Sequence, residues 1–163
     1  MSRMSTRSKS VSVPVKAKSV GGMSGETGRL VADVGGRKVT IHTTGTQMGH
    51  ATLMQSLAEK QNLIEMNVEQ SLKDGGANDV EGSAAYNRGQ LAIVVDKVHG
   101  QIPDGEDATV VFVCQSGKVR SVTAACALYK RLLSVTGDAA FTAFVSYEDR
   151  VLWQDEIVKK SNE

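Results

Sequence analysis

The spacing of hydrophobic and polar residues changes period several times along this chain. Leu30–Val34 and Lys38–Thr43 alternate on either side of Gly35-Gly36, which predicts two short strands joined by a tight turn. From His50 to Gln61 the apolar spacing widens, with Leu53, Met54, Leu57 and Ala58 on one face, which predicts a helix. Leu63–Val68 reads as a third short strand. Glu69–Gly82 is polar and carries Gly75-Gly76 and Asn78-Asp79, the composition of a loop. Ser83–Gly100 predicts a second helix, striped by Leu91, Val94, Val95 and Val98, and Pro103 and Gly105 mark the turn after it. Ala108–Val113 is apolar throughout, as is a strand covered on both faces of a parallel sheet. Ser121–Ser134 predicts a third helix with Val122, Ala125, Cys126, Tyr129, Leu132 and Leu133 turned inward. Ala139–Val145 and Tyr147–Lys160 read as one or two further helices, the last anchored by Trp153 and Ile157.

Strands alternating with helices predict an α/β fold with a central, mostly parallel sheet flanked by helices. In such sheets a ligand binds beyond the carboxyl ends of the strands, which directs attention to the segment after Val113.

Length and charge narrow the picture. The 163 residues suffice for one domain with a substantial core, and 40% hydrophobic with 23% charged residues is ordinary globular composition. The first 25 positions hold Arg3, Arg7, Lys9, Lys16 and Lys18 and no carboxylate. Of 19 basic side chains the remainder therefore keeps 14, against 18 acidic ones. Residues 1–27 thus read as a disordered basic tail and 28–163 as the domain. The alternating Val11-Ser-Val-Pro-Val15 could add as an edge strand to a protein partner. A mitochondrial transit reading of the tail is weakened by the lack of an amphipathic leucine stripe. A mildly acidic body argues against a nucleic-acid partner. No apolar run reaches membrane-spanning length, and no secretory core is visible. Two cysteines, Cys114 and Cys126, make no disulfide framework, so a reducing location is expected, cytoplasmic with cytoskeletal or nuclear variants. His42, His50 and His99 lack ligand spacing, so neither a metal nor another cofactor is expected. Gly45-Thr-Gln-Met-Gly49 matches no nucleotide loop and reads as a flexible turn.

The chemistry concentrates in Val110-Val-Phe-Val-Cys-Gln-Ser-Gly-Lys-Val-Arg-Ser121. A loop between a strand end and a helix start can wrap an oxyanion, with converging backbone N–H groups and the positive end of the helix dipole. The same field stabilises a thiolate, which makes Cys114 a candidate nucleophile. Arg120 offers a planar fork for two oxygens, and Gly117 suits a position needing positive φ. The plain alternative is a core cysteine at a strand end and a surface arginine on the next helix.

Cys114-x-x-Gly117-x-x-Arg120-Ser121 resembles the signature loop of the cysteine-dependent protein tyrosine phosphatase superfamily, its small dual-specificity and phosphoinositide branch above all. The resemblance spans roughly Arg29 to the C-terminus and is sharp only at the cysteine loop. It implies a dual-specificity phosphatase-like domain that hydrolyses phosphate monoesters of phosphoproteins or phosphoinositides through a phosphocysteine. Cys114 would be the nucleophile, Arg120 the phosphate clamp, and Ser121 the hydroxyl that assists thiolate departure. The amides of Gln115, Ser116, Gly117, Lys118, Val119 and Arg120 would bind phosphate. Lys118 is either a second cation for highly charged substrates or a solvated loop charge. Ala77-Asn78-Asp79 followed by Tyr86 is similar to the family's acid loop, which implies Asp79 as general acid, with Asp74 and Glu81 as fallbacks. An Asp at a helix entry or turn is the ordinary alternative. The family usually carries His before the cysteine, where this chain has Val113. That departure keeps open a catalytically weak or inactive pseudophosphatase acting as an interaction subunit. Cys-Gln-Ser-Gly followed by Arg-Ser also resembles rhodanese-like sulfurtransferase loops, which are typically one residue shorter. Cys126, on the apolar face of its helix, reads as core.

Overall fold

The computed structural model describes residues 22–69 and 88–146, together with Val158 and Asn162. Its elements are β1 (Gly28–Val34), β2 (Arg37–Gly45), α1 (His50–Leu57), β3 (Leu63–Asn67), α2 (Arg88–His99), β4 (Ala108–Cys114), α3 (Arg120–Leu133), α4 (Gly137–Ala143) and β5 (Val145–Ser146). The five strands form one sheet in the order β3-β4-β2-β1-β5.

The sheet is mixed, which corrects the expectation of a mostly parallel one. β4 pairs in parallel with both β3 and β2, whereas β1 runs antiparallel to β2 and β5 antiparallel to β1. The cause is local. Gly35 and Gly36 both take positive φ, 58° and 88°, as a two-residue type I′ hairpin turn requires, and a turn that short can only join antiparallel strands. β5 is a further departure, because Val145 was expected to end a helix. Instead α4 stops at Ala143, Phe144 is already extended, and Val145 and Ser146 pair with Arg29 and Gly28.

β4 is buried along its whole length, and the two-residue period of a strand divides it between two cores. Val110, Phe112 and Cys114 join the larger one, with Leu30, Ala32, Val39 and Ile41 of the hairpin, Leu91, Val94, Val95 and Val98 of α2, and Val122, Ala125, Cys126 and Leu128 of α3. Val111 and Val113 face the opposite side, against Leu53 and Leu57 of α1. Cys114 therefore lies on the α3 side, at the carboxyl end of the most protected strand.

α1 is shorter than its sequence pattern suggested. It ends at Leu57, and Asn62 takes a left-handed φ of 52° to lead into β3. The division of the chain at residue 27 falls inside packed structure: Glu26 and Thr27 are both buried. Of the expected helix at Tyr147–Lys160 only Val158 is described, helical and packed against the larger core; Trp153, Ile157 and the basic tail up to Gly21 lie outside the described residues. Among the described residues no helix is long and apolar enough to cross a membrane.

Candidate active site

Residues 115–119 connect the end of β4 to the start of α3 and fold back over the sulfur of Cys114. The amide of Gly117 donates to Sγ at 3.2 Å and that of Ser121 at 3.4 Å, and Ser121 Oγ lies 3.3 Å from the same sulfur. Cys114 and Ser121 are fully buried. Gly117 takes φ +72°, where a side chain would be strained, and a Cβ there would also lie 2.7 Å from Thr27 Oγ1. α3 begins at Arg120 with no acidic residue in its first turn, so nothing in that turn offsets the positive end of its dipole.

The outer side of the loop is tied down carbonyl by carbonyl. The amide of Thr46 donates to Cys114 O at 2.8 Å, the amide of Gln47 to Gln115 O at 2.9 Å, and the hydroxyl of Thr27 to Gly117 O at 2.8 Å. A trans peptide sets its C=O and the following N–H on opposite sides. Holding these three carbonyls outward therefore turns the N–H groups of Gln115, Ser116 and Lys118 the other way. Five amides, counting those of Gly117 and Ser121, have their direction set by this scheme.

Several side chains make the scheme possible. A Cβ on Gly45 would sit 2.5 Å from both Gln115 O and Ser116 C, so only glycine lets the loop lie this close to the end of β2. Gly25 and Gly49 meet in the same way, since a Cβ on Gly25 would lie 2.2 Å from Gly49 O. Thr44 Oγ1 donates to Gly25 O, and Thr27 Oγ1 lies 2.9 Å from Thr43 Oγ1. Gly45–Gly49, expected to be a flexible turn, is thus the support under the loop. Its signal was present in Thr43-Thr44-Gly45, polar residues where the strand pattern calls for buried ones.

Arg120 is only 3% exposed, and one guanidinium nitrogen donates to Glu69 O, just past the end of β3. A buried guanidinium needs acceptors, and this one bridges the start of α3 to the chain leaving β3. Gln115, Ser116 and Lys118 are partly exposed on the loop, and Val119 is buried at the helix entry. The structure therefore brings Cys114, Gly117, Ser121 and the loop amides together. Asp79, Asp74 and Glu81 lie outside the described residues. Val113 packs against Leu53 and Leu57, so the position before the cysteine serves the α1 core.

Behind the strap of residues 25–27 is a buried cluster. Glu26 accepts from Arg29 through two nitrogens, from the amide of Met23, and lies 2.5 Å from His42 Nδ1. Burial opposes ionisation of this carboxyl, but the bonds from His42, Arg29 and the Met23 amide outweigh it and hold Glu26 below the usual carboxylate range. A depressed carboxyl contributes stability that is complete above the unfolded-state value and lost as pH falls through the folded one. Glu26→Gln is therefore expected to cost about 1–3 kcal/mol near neutrality. The gap to wild type should close as urea unfolding is repeated below about pH 4, near and under the unperturbed glutamate value. A gap that stays constant down to pH 3 would show that the charge is not what matters.

Among the described residues no group of three His, Cys, Asp or Glu side chains could hold a metal ion. The class defined by these features is an α/β domain with a mixed five-stranded sheet and an amide-lined cysteine loop at the carboxyl end of a central strand. No protein-family model matches the chain, and no curated protein matches it as a relative.

Proposed function

We propose that the chain is a cysteine-dependent phosphatase that hydrolyses phosphate monoesters through a phosphocysteine at Cys114. The observation that carries this reading is the convergence of the Gly117 and Ser121 amides on Cys114 Sγ. N–H groups aimed at sulfur favour its anion, and a thiolate among fixed amides is the arrangement in-line attack on phosphorus needs. The sulfur–phosphorus bond would form as the ester oxygen leaves with its electron pair and takes a proton from a general acid, Asp79 in this reading. Water, losing its proton to the same residue, would then break the phosphocysteine, with the Ser121 hydroxyl donating to the departing sulfur. The amides of residues 115–118 and the fork of Arg120 would hold the three spectator oxygens. A side-on fork through Nε and Nη2 is compatible with Nη1 remaining on Glu69 O.

The substrate class proposed is a phosphoprotein or a phosphoinositide, met in the cytoplasm, with the basic tail as the contact for a protein partner. A second reading, an inactive oxyanion-binding subunit, is favoured by one observation: Val113 is used in packing and offers the loop no donor side chain.

Purified protein is expected to hydrolyse an aryl phosphate slowly, with inhibition by vanadate. Asp79→Asn should lower turnover by about 10²-fold with a poor leaving group and far less with a good one. Equal losses with both would remove Asp79 from the acid role. No turnover, with phosphate still protecting Cys114 from alkylation, would select the inactive subunit. Sulfur transfer from thiosulfate to cyanide that depends on Cys114 would replace the phosphatase reading with a sulfurtransferase.

A further inference from the structure

We infer that Thr27 is a positioning residue for oxyanion capture, acting by fixing the direction of the Lys118 amide. Its role as a device for capture rests on the reading of the loop as an oxyanion cradle, although the peptide geometry behind it does not. Thr27 lies in the strap before β1, outside the loop and at 1% exposure. Its own N–H bonds Thr43 O at 2.8 Å and its hydroxyl meets Thr43 Oγ1, so the residue is fixed to β2. From that position Oγ1 donates to Gly117 O.

The bond decides between two states of one peptide. Gly117 is the loop residue with the widest backbone freedom, and rotation of the Gly117–Lys118 peptide is a local change that leaves its neighbours in place. With the carbonyl held outward, the Lys118 N–H faces the same side as the amides of Gln115 and Ser116. With the peptide turned over, a carbonyl oxygen would replace that N–H and repel both a thiolate and a bound oxyanion. The other two outward carbonyls are held by backbone amides of Thr46 and Gln47. Of these three ties the one at Gly117 comes from a side chain, so a substitution can test it. The strap is itself braced, by Glu26 on His42 and Arg29 and by Thr44 on Gly25 O.

The test uses full-length wild type, Thr27→Val and Thr27→Ser. Three quantities are read: the melting temperature, the pH profile of Cys114 alkylation by iodoacetamide followed peptide by peptide, and protection of Cys114 by vanadate. In Thr27→Val, vanadate protection is expected to weaken about fivefold or more, the energy scale of one hydrogen bond, and the alkylation profile to move to higher pH. Thr27→Ser, which keeps the hydroxyl, should restore both. A Thr27→Val variant that melts earlier but keeps the wild-type profile and protection would overturn the inference, leaving Thr27 a packing residue. If that variant does not fold, amide resonances of wild type decide: vanadate must shift Lys118 N–H together with those of Gln115 and Ser116, and an unmoved Lys118 signal refutes the inference. If wild type takes up no vanadate at all, the oxyanion reading fails, and the alkylation profile alone decides whether Thr27 sets the loop.

Discussion

Cys114→Ser is expected to bring aryl phosphate hydrolysis down to the uncatalysed level, a loss of roughly 10³-fold or more. The substitution is close in shape and leaves the outward carbonyls of the loop their partners, so the melting temperature should change little. What it removes, in the proposed reading, is the polarisable anion. A serine hydroxyl would stay protonated under amides that, in the proposed reading, suffice to hold a thiolate. Cys126 provides the control. It sits in the α3 core, where burial pushes its thiol up, far from the range in which it could act as a nucleophile. Cys126→Ala should leave turnover per folded molecule unaltered and cost only stability. Residual turnover in Cys114→Ser within a factor of ten of wild type would assign the activity to other residues.

Gly45→Ala is expected to disturb the loop through a single methyl group. The added carbon would meet Gln115 O, Ser116 C and Gly117 N at 2.5 to 2.6 Å, all backbone atoms of the loop. A side chain can yield by changing rotamer, but a backbone bonded to Thr46, Gln47 and Thr27 cannot yield without losing those bonds. The stability cost should reach the usual range for overpacking, about 1–3 kcal/mol. The larger effect should be on the site, since the loop must move off β2 and its amides with it: oxyanion protection of Cys114 should fall by at least about tenfold. Gly35→Asn is the comparison. A Cβ at Gly35 meets nothing within 4 Å, and asparagine tolerates the positive φ of a type I′ turn, so both stability and the site should be preserved. Equal damage from the two substitutions would mean that contact with the loop is not the cause.

Much of this was legible from residue types. The apolar run at 108–113 located the buried central strand, and the change to helical spacing after Arg120 located α3, so the place where strand meets helix was readable before any coordinates. Gly35-Gly36 announced the hairpin. Its consequence for the sheet was missed because the βαβ pattern elsewhere suggested parallel pairing throughout, while strand direction is decided by connection length at each pair. That Cys114, Gly117 and Ser121 meet in one loop was readable because the contact depends on local spacing. Thr27, Thr46 and Gln47 were not, because they act on the loop from 90 and about 70 positions away, through the β2–β4 pairing. Only a known sheet order places Gly45 beside Cys114.

The position of the sulfur has a consequence for timescale. Val110–Val113 lie on an interior strand, flanked by β3 and β2, and amides so placed are expected to be among the last to open to solvent. Cys114 shares the immobility of that strand. The backbone of the crossing between β4 and α3 is tied at three carbonyls, so among the described residues adjustment to ligands of different size falls to the partly exposed side chains of Gln115, Ser116 and Lys118. A reaction here would run on the fast clock of side-chain motion, while its attacking atom stays fixed at the end of a strand buried along its whole length.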